Sequence, residues 1–233
     1  MHISYIPQIS GNSIVLPEDE SKHCIRVLRL NTGDTINIVD GNGNMLTCGI
    51  TDPHPKRCAV EVIDIQHQFG KRNFRLHIAI APTKNIERLE WFLEKATEIG
   101  IDEITPILCE HSERKNINNE RLERVIVAAL KQSIKAYKPT LNTLTPLKDA
   151  IKQDLQSTRL MAYCGDFNEP HAKSLITPNS NVFMLIGPEG DFSPSEVEMA
   201  LKAGFKTTGL GTARLRTETA GVVACTIANL INQ

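Results

Sequence analysis

Aromatic residues are scarce in this 233-residue chain: one Trp, three Tyr and seven Phe, 5% in all. So few rings leave little for base stacking, and any nucleic-acid contact has to rest mainly on phosphates. No apolar run approaches the roughly 20 residues that span a bilayer, so no membrane segment is expected. Met1-His2-Ile3-Ser4-Tyr5 has neither the basic start nor the apolar core of a signal peptide. The expectation is a cytoplasmic protein. The six cysteines, 24, 48, 58, 109, 164 and 225, form no C-x-x-C pair and none stands at zinc spacing from a histidine. They read as reduced thiols, mostly in the core, and no metal site is expected.

An excess of charge is missing too, with 26 Lys and Arg against 27 Asp and Glu. The balance is uneven along the chain. Residues 1–70 hold five basic and eight acidic side chains, residues 71–138 thirteen and ten, and residues 139–233 eight and nine. That pattern excludes a general polyanion binder and leaves only local basic patches. Internal repeats and low-complexity tracts are absent as well.

Two short segments near the carboxyl terminus carry most information. Gly187-Pro188-Glu189-Gly190 follows the apolar run Val182–Ile186, which reads as a buried strand. Pro188 and Gly190 suit the second and fourth positions of a tight turn. A helix then starts, with Ser193 as cap, Pro194 in its first position and Glu196 completing a capping box. The second segment, Leu215-Arg216-Thr217-Glu218-Thr219-Ala220, sets an arginine and three hydrogen-bonding side chains before another helix. Two such strand-to-helix turns can lie side by side at the carboxyl edge of a parallel sheet, where open α/β proteins bind small molecules.

The first 70 residues read as a small β domain. Ile14–Leu16, Thr35–Val39, Met45–Ile50 and Cys58–Ile65 are strands, with a hairpin turn at Asp40–Asn44 and a helix over Pro17–Leu28. The polar stretch Gln66–Asn73 reads as a linker. From residue 71 onward strands and helices alternate: strands at Arg75–Ile80, Glu103–Ile107, Arg159–Tyr163, Val182–Ile186 and Thr207–Leu210; helices at Ile86–Ile99, Glu120–Ala136, Ser195–Ala203 and Glu218–Ile231. This rhythm predicts a mostly parallel sheet covered by helices.

With these elements in place, the chain resembles the ribosomal RNA small subunit methyltransferase E family, of the SPOUT class, along essentially its whole length. The resemblance rests on Leu185–Gly190 and Leu215–Ala220, supported by His23 with Arg26–Arg29, by Glu94–Gly100 and by Gln132-Ser133. It implies a PUA-like β-barrel over 1–70 that binds RNA, and over 71–233 an α/β domain with a trefoil knot. It implies methylation of N3 of a uridine in 16S ribosomal RNA of the small subunit, with S-adenosylmethionine as donor, by a homodimer. The alternatives are a non-catalytic ribosome assembly factor, or a related knotted methyltransferase acting on a ribose hydroxyl or on transfer RNA.

On this reading Ile186, Gly187, Glu189 and Gly190 form one wall of the cofactor site. Leu210, Gly211, Leu215, Arg216, Thr217, Thr219 and Ala220 form the other. Arg216, Glu218 and Glu189 are the candidate catalytic residues, Arg216 facing the negative charge that develops on a uracil as it loses its N3 proton. The base stays open among Glu189, Glu218 and Asp191 by position, and water; His171, a lone loop histidine, is left outside the site. RNA contacts are assigned to His23, Arg26, Arg29, Lys84, Arg114, Lys115, Arg124, Lys131, Gln132 and Lys135. Arg124, Lys131, Lys135 and Lys138 would share one helix face. Two departures stand out. Asp191 occupies a place where the family commonly has a second glycine; it either caps the next helix or sets a carboxylate near the cofactor. Lys131-Gln132-Ser133-Ile134-Lys135 resembles an E-Q-S-G-R pattern but lacks its Glu, Gly and Arg.

Overall fold

The computed structural model describes residues 3–154, 156–165 and 169–232; Met1 and His2 of the amino-terminal reading lie outside them. The chain forms two compact units, Met1–Lys71 with Leu130–Lys138, and Arg72–Ala129 with Pro139–Gln233.

In the first unit the strands are β1 (Ile3–Tyr5), β2 (Ser13–Val15), β3 (Thr35–Val39), β4 (Met45–Asp52) and β5 (Ala59–Gln66). They form one sheet in the order β1-β3-β4-β5-β2. β1 runs parallel to β3, and the other pairs are antiparallel. Register shifts at Thr47/Cys48 and Ile50/Asp52 interrupt the β4–β5 ladder. Such bulges raise local twist, and the sheet curls around Ile14, Leu16, Ile36, Ile38, Leu46 and Val60. The expectation was a barrel; the described pairings give a curled sheet with β1 and β2 at its edges. The helix expected over Pro17–Leu28 divides into α1 (Glu18–Lys22) and a π-helical turn over His23–Val27. Arg29, at φ 59, ends it.

The segment Leu130–Lys138 completes this unit. Gly43 N–H donates to the Ala136 carbonyl and Lys138 N–H to that of Gly41, both at 2.9 Å. Gly43 is at φ 97 and a Cβ on it would clash with the hydroxyl edge of the Tyr137 ring, so glycine is favoured there. Leu130 and Ala136 join Ile3, Val39 and Met45 in a small core.

In the second unit the strands are β6 (Leu76–Ile80), β7 (Glu103–Leu108), β8 (Thr140–Leu141), β9 (Thr145–Pro146), β10 (Thr158–Ala162), β11 (Val182–Ile186) and β12 (Lys206–Thr208). All pair in parallel, in the order β12-β10-β11-β6-β7-β8, with β9 also on β7. The main helices are α2 (Ile86–Ile99), α3 (Asn119–Gln132), α6 (Pro194–Lys202) and α7 (Thr217–Ile231); α4 (Leu147–Ala150) and α5 (Ala172–Leu175) are single turns. Both faces of the central strands are covered, which is why β6 and β11 read as unbroken apolar runs. Leu76, Ile78, Ile80, Val182, Met184 and Ile186 pack with Leu89, Phe92 and Leu93 of α2 and Ala224, Cys225 and Ala228 of α7. Ala79, Phe183, Leu185 and Met161 pack with Leu147, Ala200 and Phe205. Each fully buried large side chain contributes about 1.5–3 kcal/mol. Among the described residues, no helix is long and apolar enough to cross a membrane.

The helix expected over Glu120–Ala136 stops at Gln132. Ile134 takes φ 57, and Lys135 N–H donates to the Leu130 carbonyl at 3.0 Å. That six-to-one bond closes a Schellman-type stop, whose left-handed position normally calls for glycine. Lys135 and Lys138 therefore lie beyond the helix and do not extend its basic face. A β-branched residue is costly in this conformation. Ile134→Gly should raise stability by about 1 kcal/mol, read as a higher urea midpoint with an unchanged slope.

His77 lies at the amino-terminal end of the same sheet. It is 1% exposed and stacks on Phe183, with ring centroids 4.2 Å apart. Its Nδ1 bonds Asp154 and its Nε2 Thr105, both at 2.7 Å. Glu103 lies beside it, so the three could hold a metal by spacing, but Arg75 pairs with both carboxylates. Burial pushes the imidazole pKa down to about 4, against the opposing pull of Asp154. The unfolded ring, near 6.5, binds its proton first. Stability should therefore fall as the pH drops from about 6.5 to about 4. In His77→Gln the urea-derived stability should fall less steeply across that interval.

Candidate active site

Because the strands are parallel, the ends of β10, β11 and β12 share one edge. β11 ends at Ile186 and leaves the sheet through Gly187-Pro188-Glu189-Gly190. β12 ends at Thr208, and the loop after it leads through Leu215-Arg216 into α7. Thr217 Oγ1 donates to the Gly187 carbonyl at 3.0 Å and ties the second segment to the first. Between them lies a cavity of ≈ 700 Å³, within the range of small-molecule sites.

Nine of the cofactor residues expected from sequence line it: Ile186, Gly187, Glu189, Leu210, Gly211, Leu215, Arg216, Thr217 and Ala220. Helical spacing explains the last three. Arg216, Thr217 and Ala220 lie on one side of the first turn of α7, so the positive end of its dipole opens on the cavity. Gly211, at φ 136, meets nothing within 4 Å of a would-be Cβ. Glu189 is anchored by the Lys84 N–H, which donates to its Oε1 at 3.0 Å.

Three expected residues do not line the described cavity. A Cβ on Gly190 would meet His111 at 3.1 Å, so the space beside this glycine is taken by the histidine. The His111 Nδ1 lies 3.1 and 3.0 Å from the carbonyls of Gly190 and Asp191. These carbonyls, Asp191's first, hold the imidazole pKa above its ordinary value. Glu218 and Thr219 are turned from the cavity by the helical rotation. They line a smaller depression of ≈ 260 Å³ with Asn85, Glu87, Arg88 and Trp91. Glu218 is buried, 3.9 Å from Arg88 Nε.

Sequence reading missed the third wall. Ala162, the last residue of β10, and Tyr163 and Cys164 after it line the cavity together with Glu169, His171 and Arg214. The β12-β10-β11 order puts β10 between the two recognised segments, which no local motif announces. His171 caps α5 by accepting the Lys173 N–H at 3.1 Å. Asp191 also lines the cavity and does not cap α6; Ser193 and Glu196 form that capping box. The Cys164 thiol pKa is raised by burial first and by Asp191 next, with Arg214 opposing.

The expected RNA contacts are of unequal standing. In the first unit Arg26 and Arg29 are exposed, and His23 begins the π-helical turn. Lys131 is ion-paired with Glu20 and half-buried, so it serves the structure of that unit first. Gln132 is exposed at the end of α3, and Lys135 is half-buried. In the second unit Arg114 is a brace: its Nε and Nη2 donate to the carbonyls of Thr83 and Lys84 at 3.0 and 2.6 Å. Lys84 pairs with Glu113 at 2.8 Å. Lys115 and Arg124 are exposed.

Residues 70–229 match the family model of the RNA methyltransferase domain, and residues 16–63 that of the RNA methyltransferase PUA domain. The chain is similar to the crystal structure of a probable rRNA-methyltransferase from Porphyromonas gingivalis: 42% identity, TM-score 0.94, covering 100% of this chain and 98% of that one. It has the fold of a ribosomal RNA small subunit methyltransferase E from Neisseria gonorrhoeae bound to S-adenosyl methionine, at 22% identity and TM-score 0.88, covering 100% and 98% of the two chains. The Ribosomal RNA small subunit methyltransferase E of Rickettsia conorii is 26% identical over 231 residues, 95% of this chain and 91% of its own. Two family models in the order of the two folded segments, one spanning the whole cavity, decide the matter: the chain belongs to the RNA methyltransferase family.

Proposed function

We propose that the protein uses S-adenosylmethionine to methylate N3 of a uridine in 16S ribosomal RNA of the small subunit. The observation that carries the reading is the convergence of Gly187–Glu189 and Leu215–Ala220 on one cavity, tied by the Thr217–Gly187 hydrogen bond. Ile186, Leu210, Leu215 and Ala220 supply apolar lining, and the glycines leave peptide groups open to a nucleoside. The donor supplies an electrophilic methyl group at a sulfonium. The protein's task is then to hold the uracil and stabilise it as N3 loses its proton.

Arg216 fits that task. It stands at the N-cap of α7, exposed, among the cavity-lining residues. As the imide proton leaves, negative charge spreads over N3, O2 and O4. A guanidinium and the free N–H groups of a helix start both favour that charge. Glu189, the cavity-lining carboxylate retained from the sequence reading, is the protein's candidate proton acceptor; water is the other. The PUA-like unit, with Arg26 and Arg29, would hold the RNA by its phosphates. The barrel closure, the trefoil knot, the homodimer and a cytoplasmic setting belong to the same reading through the family resemblance.

Incubation of the protein with small ribosomal subunits and labelled donor, followed by nucleoside mass spectrometry, should yield N3-methyluridine. Methylation at a ribose hydroxyl would overturn the assignment. Arg216→Ala should slow the reaction about 100-fold or more, as for loss of one oxyanion-type donor. Donor affinity by calorimetry should change much less, because the charge that Arg216 meets is on the uracil.

A further inference from the structure

Asp191 sets a carboxylate among the residues that line the cavity. Its backbone is at φ 61, a region L-residues seldom adopt. Aspartate tolerates it because a short polar side chain can bond locally. Here the carboxylate does so on both sides: Oδ1 accepts the Phe192 N–H at 2.8 Å and Oδ2 the Cys164 N–H at 3.2 Å. Oδ1 also lies 3.4 Å from where a Gly187 Cβ would be. The charge is thus fixed between the end of β10 and the turn after β11, among lining residues, on a side chain with one packed orientation.

Both Asp191 carboxylate oxygens accept backbone N–H groups, so what this side chain brings to the cavity is a fixed group. Its effect is on charge. The titratable side chains lining the described cavity are Glu169, Glu189, Asp191, His171, Arg214 and Arg216, beside the thiol of Cys164 and the phenol of Tyr163. With Asp191 the carboxylates outnumber the guanidinia; with glycine they would balance. In the reaction proposed above, the C–S electron pair stays on sulfur as the methyl leaves for N3, so the cationic sulfonium becomes a neutral thioether. We propose that Asp191 is a specificity-determining residue that favours the sulfonium donor over its neutral thioether product, and so lessens product inhibition. A fixed carboxylate in a partly enclosed site attracts a cation and gains nothing from a thioether of the same shape.

The inference rests on the cavity being the donor site, and the test separates the two. Binding of S-adenosylmethionine and S-adenosylhomocysteine is measured by calorimetry on the wild type, Asp191→Asn and Asp191→Gly. Glycine removes the charge and suits the backbone; asparagine removes the charge and keeps the size. In both variants the ratio of thioether Kd to sulfonium Kd should fall about tenfold, a change of about 1.4 kcal/mol, almost all of it from weaker sulfonium binding. The inhibition constant of the thioether, relative to the donor KM, should fall in step. Equal losses for both ligands would show that the carboxylate only braces the Cys164 loop and would overturn the inference. An unchanged ratio in both variants would do the same while leaving the donor site intact. A wild type that binds neither ligand would overturn the cavity assignment as well.

Discussion

The close approach of α7 to α2 and β6 governs the second unit. At Gly221 a Cβ would lie 2.6 Å from the Phe92 ring and 3.0 Å from Ile80; only hydrogen fits. With Ala224, Cys225 and Ala228 following on the same buried face, the helix beds tightly on the sheet, and its amino-terminal turn arrives beside the end of β11. The Thr217 bond to Gly187, the outward position of Arg216 and the turning away of Glu218 all follow from that bedding. The small-residue stripe of α7 and the L-R-T-E-T-A string are therefore one device, the first fixing the helix and the second using its free end.

Local pattern revealed much of this. Apolar runs buried on both faces marked β6 and β11, and Ser193-Pro194 with Glu196 marked the start of α6, because these signals act over a few residues. What stayed hidden depends on pairing between distant segments. β1 is three residues long and exists through its register with β3. The lining after β10 follows from a strand order no motif encodes. Lys131 read as a surface charge because its partner, Glu20, is 111 positions away. Gly190 read as a ligand contact because a missing side chain says nothing of what fills its space; here that is His111.

Asp191 and Ile134 share one physical feature: both hold left-handed backbone, the region that favours glycine. They differ in how the strain is met. Asp191 has two N–H groups on its carboxylate, and the side chain places a charge in the cavity. Ile134 has no such recourse, and its side chain remains partly exposed. One residue thus meets the strain with hydrogen bonds inside the cavity, and the other is simply tolerated by the fold.

The chain order also bears on how the protein comes off the ribosome. Ile3, Val39 and Met45 are made early, but the core they share with Leu130 and Ala136 cannot close until synthesis has passed residue 136. The hairpin turn at Gly41–Gly43 likewise waits for the strip ending at Lys138. The amino-terminal unit is therefore not a module that matures before the second is begun. A nascent chain carries its unfinished edge through the making of β6, α2, β7 and α3, and the first unit can close while β10, β11 and α7 of the second are still to be made.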